Sequence, residues 1–514
     1  MATKEKKRRK SDKARGRPSP PADELSSPVV SSNQTPAVSE PVVPAVISAK
    51  PESVAGQTRP LTWFTPNRSA LFVGAISFFL YLLTLAPSVT CEDSGELITA
   101  AATGGVAHPP GYPVYTMAAR FFTALPIGNI AYRVNLMSAV FGALTAALTV
   151  LVAHEIAAFR TGANSGKSAS PVIAPMMAGL FVAGSRDFWA QSVIAEVYTL
   201  NGALLAASLL CLLRGTRLQK TIYLPMVGAL TGLSLAHHYP LALLALPSLV
   251  VFLFRGQKPL LKHPAWVAYS AFLVAFGLTA YLYLWAVAQS APALNWGEPS
   301  TAARLWEHVT RSAYRKAEFQ GDLSLSDKLS FAGLFLRLWT TQWTPPVLLV
   351  FLPLGIYKLR DLPTVRDLLL GIIGLTAFGL IVIPGYPYNA ENIQRFDELY
   401  LPVYLASALI MAEGATALVS YLELRMKDAQ RPLWIATASA AIFPVIMHFS
   451  YNDLSEHDLA EKYNRAALNQ LEPNALYLTS GDYTSFPALY LHVVEGLRPD
   501  VILANFTGDL SKSR

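Results

Sequence analysis

The 514 residues carry 41 Lys and Arg against 34 Asp and Glu, a formal net charge of +7, yet charged residues make up only 15% of the chain and hydrophobic ones 52%. Long apolar stretches on that scale exclude a single soluble globule and indicate a polytopic membrane protein. The basic excess does not point to nucleic acid, because it gathers in Lys4 to Arg17 and in short links between apolar segments, a distribution that orients a membrane protein and draws it to anionic lipid.

Residues 1–60 are rich in Pro, Ser, Ala and Val with almost no aromatics, and such a composition cannot bury enough apolar surface to offset chain entropy. They are expected to form a disordered cytosolic tail. The basic start runs into Pro/Ser-rich sequence rather than an apolar core, so the first apolar segment, near Ala70, is expected to remain as a helix and not to be cleaved as a signal peptide. Residues 61–449 hold about eleven apolar segments, of which Ala70 to Leu85, Val134 to Ala153, Ala265 to Val287 and Leu399 to Val419 are long enough, or nearly so, to cross a bilayer.

Lys and Arg in the links assign the sides. Arg160 to Lys167, Arg214 to Lys220, Arg255 to Lys262, Lys358 to Arg366 and Arg425 to Arg431 fall with the tail on the cytosolic side. The links at 88–133, Ser185 to Tyr198, His237 to Tyr239, Gln289 to Leu338 and Gly385 to Glu398 then face outward, as do residues 450–514. In that last stretch Asn474 to Ser480 alternates like a strand, Phe486 to Glu495 suits a helix and Asp500 to Asn505 suits a second strand, the beginning of a βαβ unit. The chain stops before such a domain would be complete, so the segment either packs on the membrane body or belongs to a longer piece. Of the two cysteines, Cys91 lies in the first outer link and Cys211 in an apolar segment, which leaves neither a disulfide framework nor a thiolate metal site.

The outer links carry the polar chemistry. Glu92, Asp93 and Glu96 stand at the start of an apolar helix, where Asp93 or Ser94 would serve as an N-cap. Capping explains one acid and leaves two. Asp93 and Glu96 share a helix face at i,i+3, and clustered carboxylates act as a base or as metal ligands. Next, His108-Pro-Pro-Gly-Tyr-Pro-Val-Tyr enforces an irregular turn. It brings His108, Tyr112 and Tyr115 to the interface, either as part of the aromatic belt or to stack on sugar and polyprenyl lipid. Glu196 lies at the edge of an apolar segment, where a charge is costly unless it lines a cavity.

His237 and His238 stand together between two short apolar segments, without the spacing of a zinc site, and a lipid-phosphate contact is the alternative. Arg304 and Arg311 place positive charge on an outer link, where they would either snorkel to headgroups or bind a phosphate-bearing ligand. Arg395, close to Asp397 and Glu398, would form a loop ion pair or contribute to the same site.

In order along the chain, EDSGE with HPPGYP, FWAQSVIAEVYTLN, LSLAHH, LNWGEP, RFDELYLP and SGDYTSFPALYLHVVEGLRPDV resemble the transmembrane O-mannosyltransferase family that acts on plexin-type immunoglobulin-like domains, with its bacterial relatives. The resemblance covers Leu71 to Asn505. It implies an all-α polytopic body of the GT-C type with a short α/β extracytoplasmic segment. It also implies a polyprenyl- or dolichyl-phosphate sugar donor, with mannose the sugar of the family's name, and a protein hydroxyl or glycan as acceptor.

By the same resemblance Asp93 is the first choice of catalytic base and Glu96 the second, with inversion at the sugar carbon. Glu92, His108, Tyr112, Tyr115, Glu196, His237, His238, Arg304, Arg311 and Arg395 are the expected contacts to donor or acceptor. No metal ligand is assigned, although a divalent ion stays open, and the lipid-linked sugar is a substrate rather than a cofactor. A bacterial inner membrane, or the endoplasmic reticulum in a eukaryote, is the expected location, with the N-terminus cytosolic and the C-terminus outside. The rival readings are a multispanning transporter or lipid-sugar flippase, whose intramembrane polar groups would mark a substrate path, and a noncatalytic scaffold of the same fold.

Overall fold

The computed structural model describes residues 65–161, 172–256, 258–315, 324–383, 385–393, 396–426, 430–505 and 508–509. The expected tail at 1–60 and Arg395 lie outside them. In chain order α1 (Pro66–Leu83) is followed by α2 (Ser94–Thr103) and α3 (Pro113–Thr123), then by α4 (Ile130–Thr161), α5 (Ile173–Ala183) and α6 (Arg186–Ala190). Next come α7 (Tyr198–Leu218), α8 (Tyr223–Gly256), α9 (Pro264–Ala288), α10 (Ala302–Val309), α11 (Leu325–Thr341) and α12 (Phe351–Lys358). The last long helices are α13 (Pro363–Val382), α14 (Glu398–Glu423) and α15 (Pro432–Asn452). Among the described residues eight helices, α1, α4, α7, α8, α9, α13, α14 and α15, are long and apolar enough to cross a membrane by length and composition, and α5 is a shorter apolar helix. The chain is an integral membrane protein.

Two of these helices show how the sequence sets the body. At the start of α1, Thr65 Oγ1 accepts from the Arg68 N–H at 3.4 Å and Pro66 fills the first turn. Beyond that cap Leu71, Phe72, Phe79 and Leu83 stay exposed, as they would against lipid. Within α8 the backbone leaves helical geometry at His238 (φ −135°, ψ 77°), the break read from the sequence between two short apolar segments. Thr231 and Leu235 from one arm and Leu241, Ala245 and Leu249 from the other line one cavity with Asn201, Leu205 and Ser208 of α7, so the arms lie side by side. Where α12 meets α14 the backbones touch: a Cβ on Gly355 would stand 1.9 Å from the Ile410 oxygen, and one on Gly414 1.9 Å from that of Phe351.

At the basic end of the bundle the links are tied by ion pairs. Glu155 accepts from Arg214 at 2.6 Å and from Arg217 at 2.7 Å, and Arg160 joins Asp361 at 3.0 Å and the buried Glu413. The opposite end carries α2, α3, α6, α10 and the final segment. In that segment α16 (Leu459–Asn469) precedes β1 (Leu476–Thr479), α17 (Asp482–Leu489), β2 (Ile502–Asn505) and β3 (Gly508–Asp509). β1 pairs parallel to β2 with Leu476 opposite Ile502, so α17 is the crossover of the expected βαβ unit, and β3 adds antiparallel to β2. The segment packs on the membrane body through α2, because a Cβ on Gly95 would lie 2.2 Å from the Phe486 oxygen and only glycine admits that approach.

Candidate functional site

Helix α2 begins immediately after Asp93, but the Asp93 side chain makes no capping hydrogen bond. The capping reading therefore fails for the acid best placed to cap. Its Oδ2 instead lies 3.8 Å from His108 Nε2. One turn into α2, Glu96 is wholly buried and both its oxygens face His108. Oε1 accepts the His108 backbone N–H at 2.6 Å and Oε2 lies 2.6 Å from Nδ1. The turn His108 to Tyr112 makes this possible, since Gly111 N–H returns to the His108 carbonyl at 2.7 Å and doubles the chain back over α2.

Tyr112 then enters α3 in the left-handed region (φ 41°), with its hydroxyl 2.9 Å from His108 Nε2. Burial alone would lower the His108 pKa, but the Glu96 and Asp93 carboxylates outweigh it and raise it to about 9. His108 is thus an imidazolium at neutral pH, oriented from behind by a buried carboxylate. One ligand atom each from Asp93, Glu96 and His108 falls within 4.8 Å of the others, a spacing that would suit a divalent cation. With both Glu96 oxygens on His108, however, Glu96 backs the imidazole, and the imidazolium has no lone pair for a cation, so only the neutral ring could offer Nε2 beside Asp93 to an ion.

The other expected residues distribute unevenly around this centre. Glu92, in the left-handed region at φ 62°, accepts from the Tyr483 hydroxyl at 3.2 Å and so ties the first loop to α17. Arg311, also left-handed at φ 54°, donates from Nη1 to the Pro109 carbonyl at 2.6 Å, and its charge opposes that of His108. Trp296 stands edge-on to His108 with ring centroids 6.3 Å apart. His238 stacks on Tyr112 at 5.7 Å and His237 on Tyr115 at 6.3 Å, while His237 Nε2 lies 2.8 Å from the Val197 carbonyl. The histidine pair thereby wedges the reversal of α8 against α3 and α7. Glu196 is buried next to them, and burial first, then Asp93 and Glu92, raises its pKa well above the usual carboxylate value.

Arg304 is not brought into this group. It pairs with Glu298 at 3.0 Å on the exposed side of α10.

A second polar cluster, absent from the expected site residues, is built around Asp187. Its Oδ2 accepts from Gln342 Nε2 at 2.6 Å and from the Tyr404 hydroxyl at 3.2 Å, and its Oδ1 from Arg186 Nε at 2.6 Å. Arg186 also lies 3.6 Å from Asp397 and over the Tyr451 ring at 5.3 Å. Burial, then Asp187, raises Asp397 to about 6, and Glu92 adds to the effect, so the two clusters share one electrostatic field. The local signal in the sequence was an Arg-Asp pair next to Phe188 and Trp189.

Comparison with known proteins follows the same lines. Residues 93–262 match the family model of the Protein O-mannosyl-transferase TMEM260 N-terminal domain. The chain is 28% identical to the Mus musculus Protein O-mannosyl-transferase TMEM260 over 471 residues, 86% of this chain and 63% of the relative. It is 24% identical to the Dictyostelium discoideum Protein O-mannosyl-transferase tmem260 over 481 residues, 82% of this chain and 55% of that one. It therefore spans less than two thirds of the length of these curated relatives. Among solved structures it is similar to ArnT from Cupriavidus metallidurans bound to undecaprenyl phosphate, with a TM-score of 0.52, 86% of each chain covered and 10% identity. These matches bear out the family resemblance read from the motifs, and the last of them bears out the GT-C-like fold.

Proposed function

We propose that the chain is a glycosyltransferase that moves a sugar, mannose by its likeness to the O-mannosyl-transferases, from a polyprenyl- or dolichyl-phosphate carrier to a hydroxyl of a protein or glycan acceptor. The observation that carries the reading is the half-exposed Asp93 carboxylate in front of the buried Glu96–His108 pair. In the reaction the acceptor oxygen forms a bond to the sugar's anomeric carbon while the bond from that carbon to the phosphate oxygen breaks. Asp93 takes the acceptor's proton and the lipid phosphate leaves with the electron pair on the opposite face, which inverts the centre. The His108 ring stands beside Asp93, and Arg311, held on the Pro109 carbonyl, adds positive charge near His108. Glu96 acts through His108 as a positioning residue, and Tyr112 and Trp296 offer rings on which a sugar can stack. The site end faces away from the cytosol in this reading, since Arg214, Arg217 and Lys358 gather at the other end.

The test incubates purified protein in lipid nanodiscs with labelled polyprenyl-phosphate mannose and a hydroxyl-bearing acceptor, comparing wild type with Asp93→Asn. Transfer by wild type that Asp93→Asn abolishes supports the assignment, and undiminished transfer by the variant removes Asp93 from the mechanism. Movement of the lipid-linked sugar across vesicles without any transfer would favour the flippase.

A further inference from the structure

We infer that Arg186 holds the phosphate of the membrane-embedded lipid carrier at the bilayer edge of the candidate site, an inference that rests on the transferase reading and extends it. The guanidinium is presented by a rigid mount. Asp187, 4% exposed, is fixed by Gln342 and Tyr404, and its own N–H donates to Gln342 Oε1 at 3.0 Å, so that Oδ1 can grip the Nε edge of Arg186 at 2.6 Å. On the other edge Nη2 meets Asp397 only at 3.6 Å, longer than the 2.7 to 2.9 Å of about-ideal charge-assisted bonds. The mount is tight and the outer contact loose.

The position suits a lipid headgroup. Tyr451, over whose ring the guanidinium sits, lies in the last turn of α15 and is exposed together with Met447 one turn before it, an apolar side that a bilayer would cover. The expected alternatives are less suited: Arg304 is engaged with Glu298 on the surface, and Arg311 is turned to the Pro109 carbonyl and the Tyr314 ring. Asp397 is the partner that faces the loosely held Nη2, so a phosphate oxygen bonding there must displace it. Asp397 thus occupies the place of a phosphate oxygen and competes with the carrier.

The experiment measures binding of polyprenyl monophosphate to the full chain in nanodiscs, together with the donor KM. Arg186→Gln should weaken binding and raise the donor KM about tenfold or more with the acceptor KM unchanged, and Arg186→Lys, which keeps the charge but loses the fork, should fall between. Asp397→Asn, which leaves the Asp187 mount intact, should tighten binding severalfold, and Arg304→Gln should leave it as in wild type. A folded Arg186→Gln protein that binds the carrier as wild type does, or an Asp397→Asn protein that binds it more weakly, overturns the inference. Inorganic phosphate competing as well as polyprenyl phosphate would overturn the lipid assignment. Sugar transfer that persists with an unchanged donor KM in Arg186→Gln sinks the inference and spares the transferase. Carrier binding that depends on Arg186 without any transfer by wild type does the reverse.

Discussion

Glu96→Gln is the most informative single change, because it removes one charge and almost no volume from a wholly buried position. The backbone N–H of His108 can still donate to the amide oxygen, so the turn keeps one of its two ties. The loss falls on the ion pair. His108 has its pKa raised from 6.5 to about 9, with Glu96 the largest of the raising influences. That interval corresponds to about 3 kcal/mol of preference for the charged form in the folded state, an upper figure for the variant because Asp93 supplies part of it. Without Glu96 the largest raising influence is lost, and the charged ring keeps against burial only the part that Asp93 supplies.

The pH dependence carries the test. A group whose pKa is raised on folding contributes its full stabilisation below the unfolded value, here 6.5, and loses it as pH rises through the folded value, about 9. Wild type should therefore melt several degrees above Glu96→Gln at pH 6, and the gap should close by pH 10. Thermal unfolding of both proteins in one detergent across that range reads the difference directly and cancels every group they share. A gap of constant size from pH 6 to pH 10 would refute the charged pair and reduce Glu96 to an ordinary buried hydrogen-bond acceptor.

Three further outcomes are expected. Asp93→Asn should lower the transfer rate by about 10² to 10⁴, the range for a lost general base, with the donor KM little changed in steady-state kinetics. Gly95→Ala places a Cβ 2.2 Å from the Phe486 oxygen, and since backbone rather than a flexible side chain must yield, it should cost about 1 to 3 kcal/mol and speed proteolysis within residues 459–505. Arg304→Gln breaks only the exposed pair with Glu298, so stability should stay within about 0.5 kcal/mol, and transfer should be unaffected in the same assay.

What the sequence could and could not reveal follows from how far each feature reaches along the chain. Spans were legible because an apolar run of bilayer length is a local property, and the strands at 476–479 and 502–505 because alternation is local too. Even the reversal at His238 showed as a break between short apolar segments. The site is different in kind. Asp93 and Glu96 look equivalent in sequence, two acids on one helix face, yet Glu96 is committed to His108 by a turn whose return path no spacing rule encodes. Arg304 and Arg311 share a loop and a charge, but a left-handed backbone at Arg311 carries its side chain to Pro109 while Arg304 stays on the exposed side of α10. The mount of Arg186 lay furthest from view, since Gln342, just past the end of α11, and Tyr404, an isolated polar residue within apolar α14, stand 155 and 217 positions from Asp187. A polar group inside an apolar run is costly unless a partner meets it. Its presence at Tyr404 therefore announces that a partner exists, and only the fold says that the partner is Asp187 and that the carboxylate's remaining oxygen is turned on Arg186.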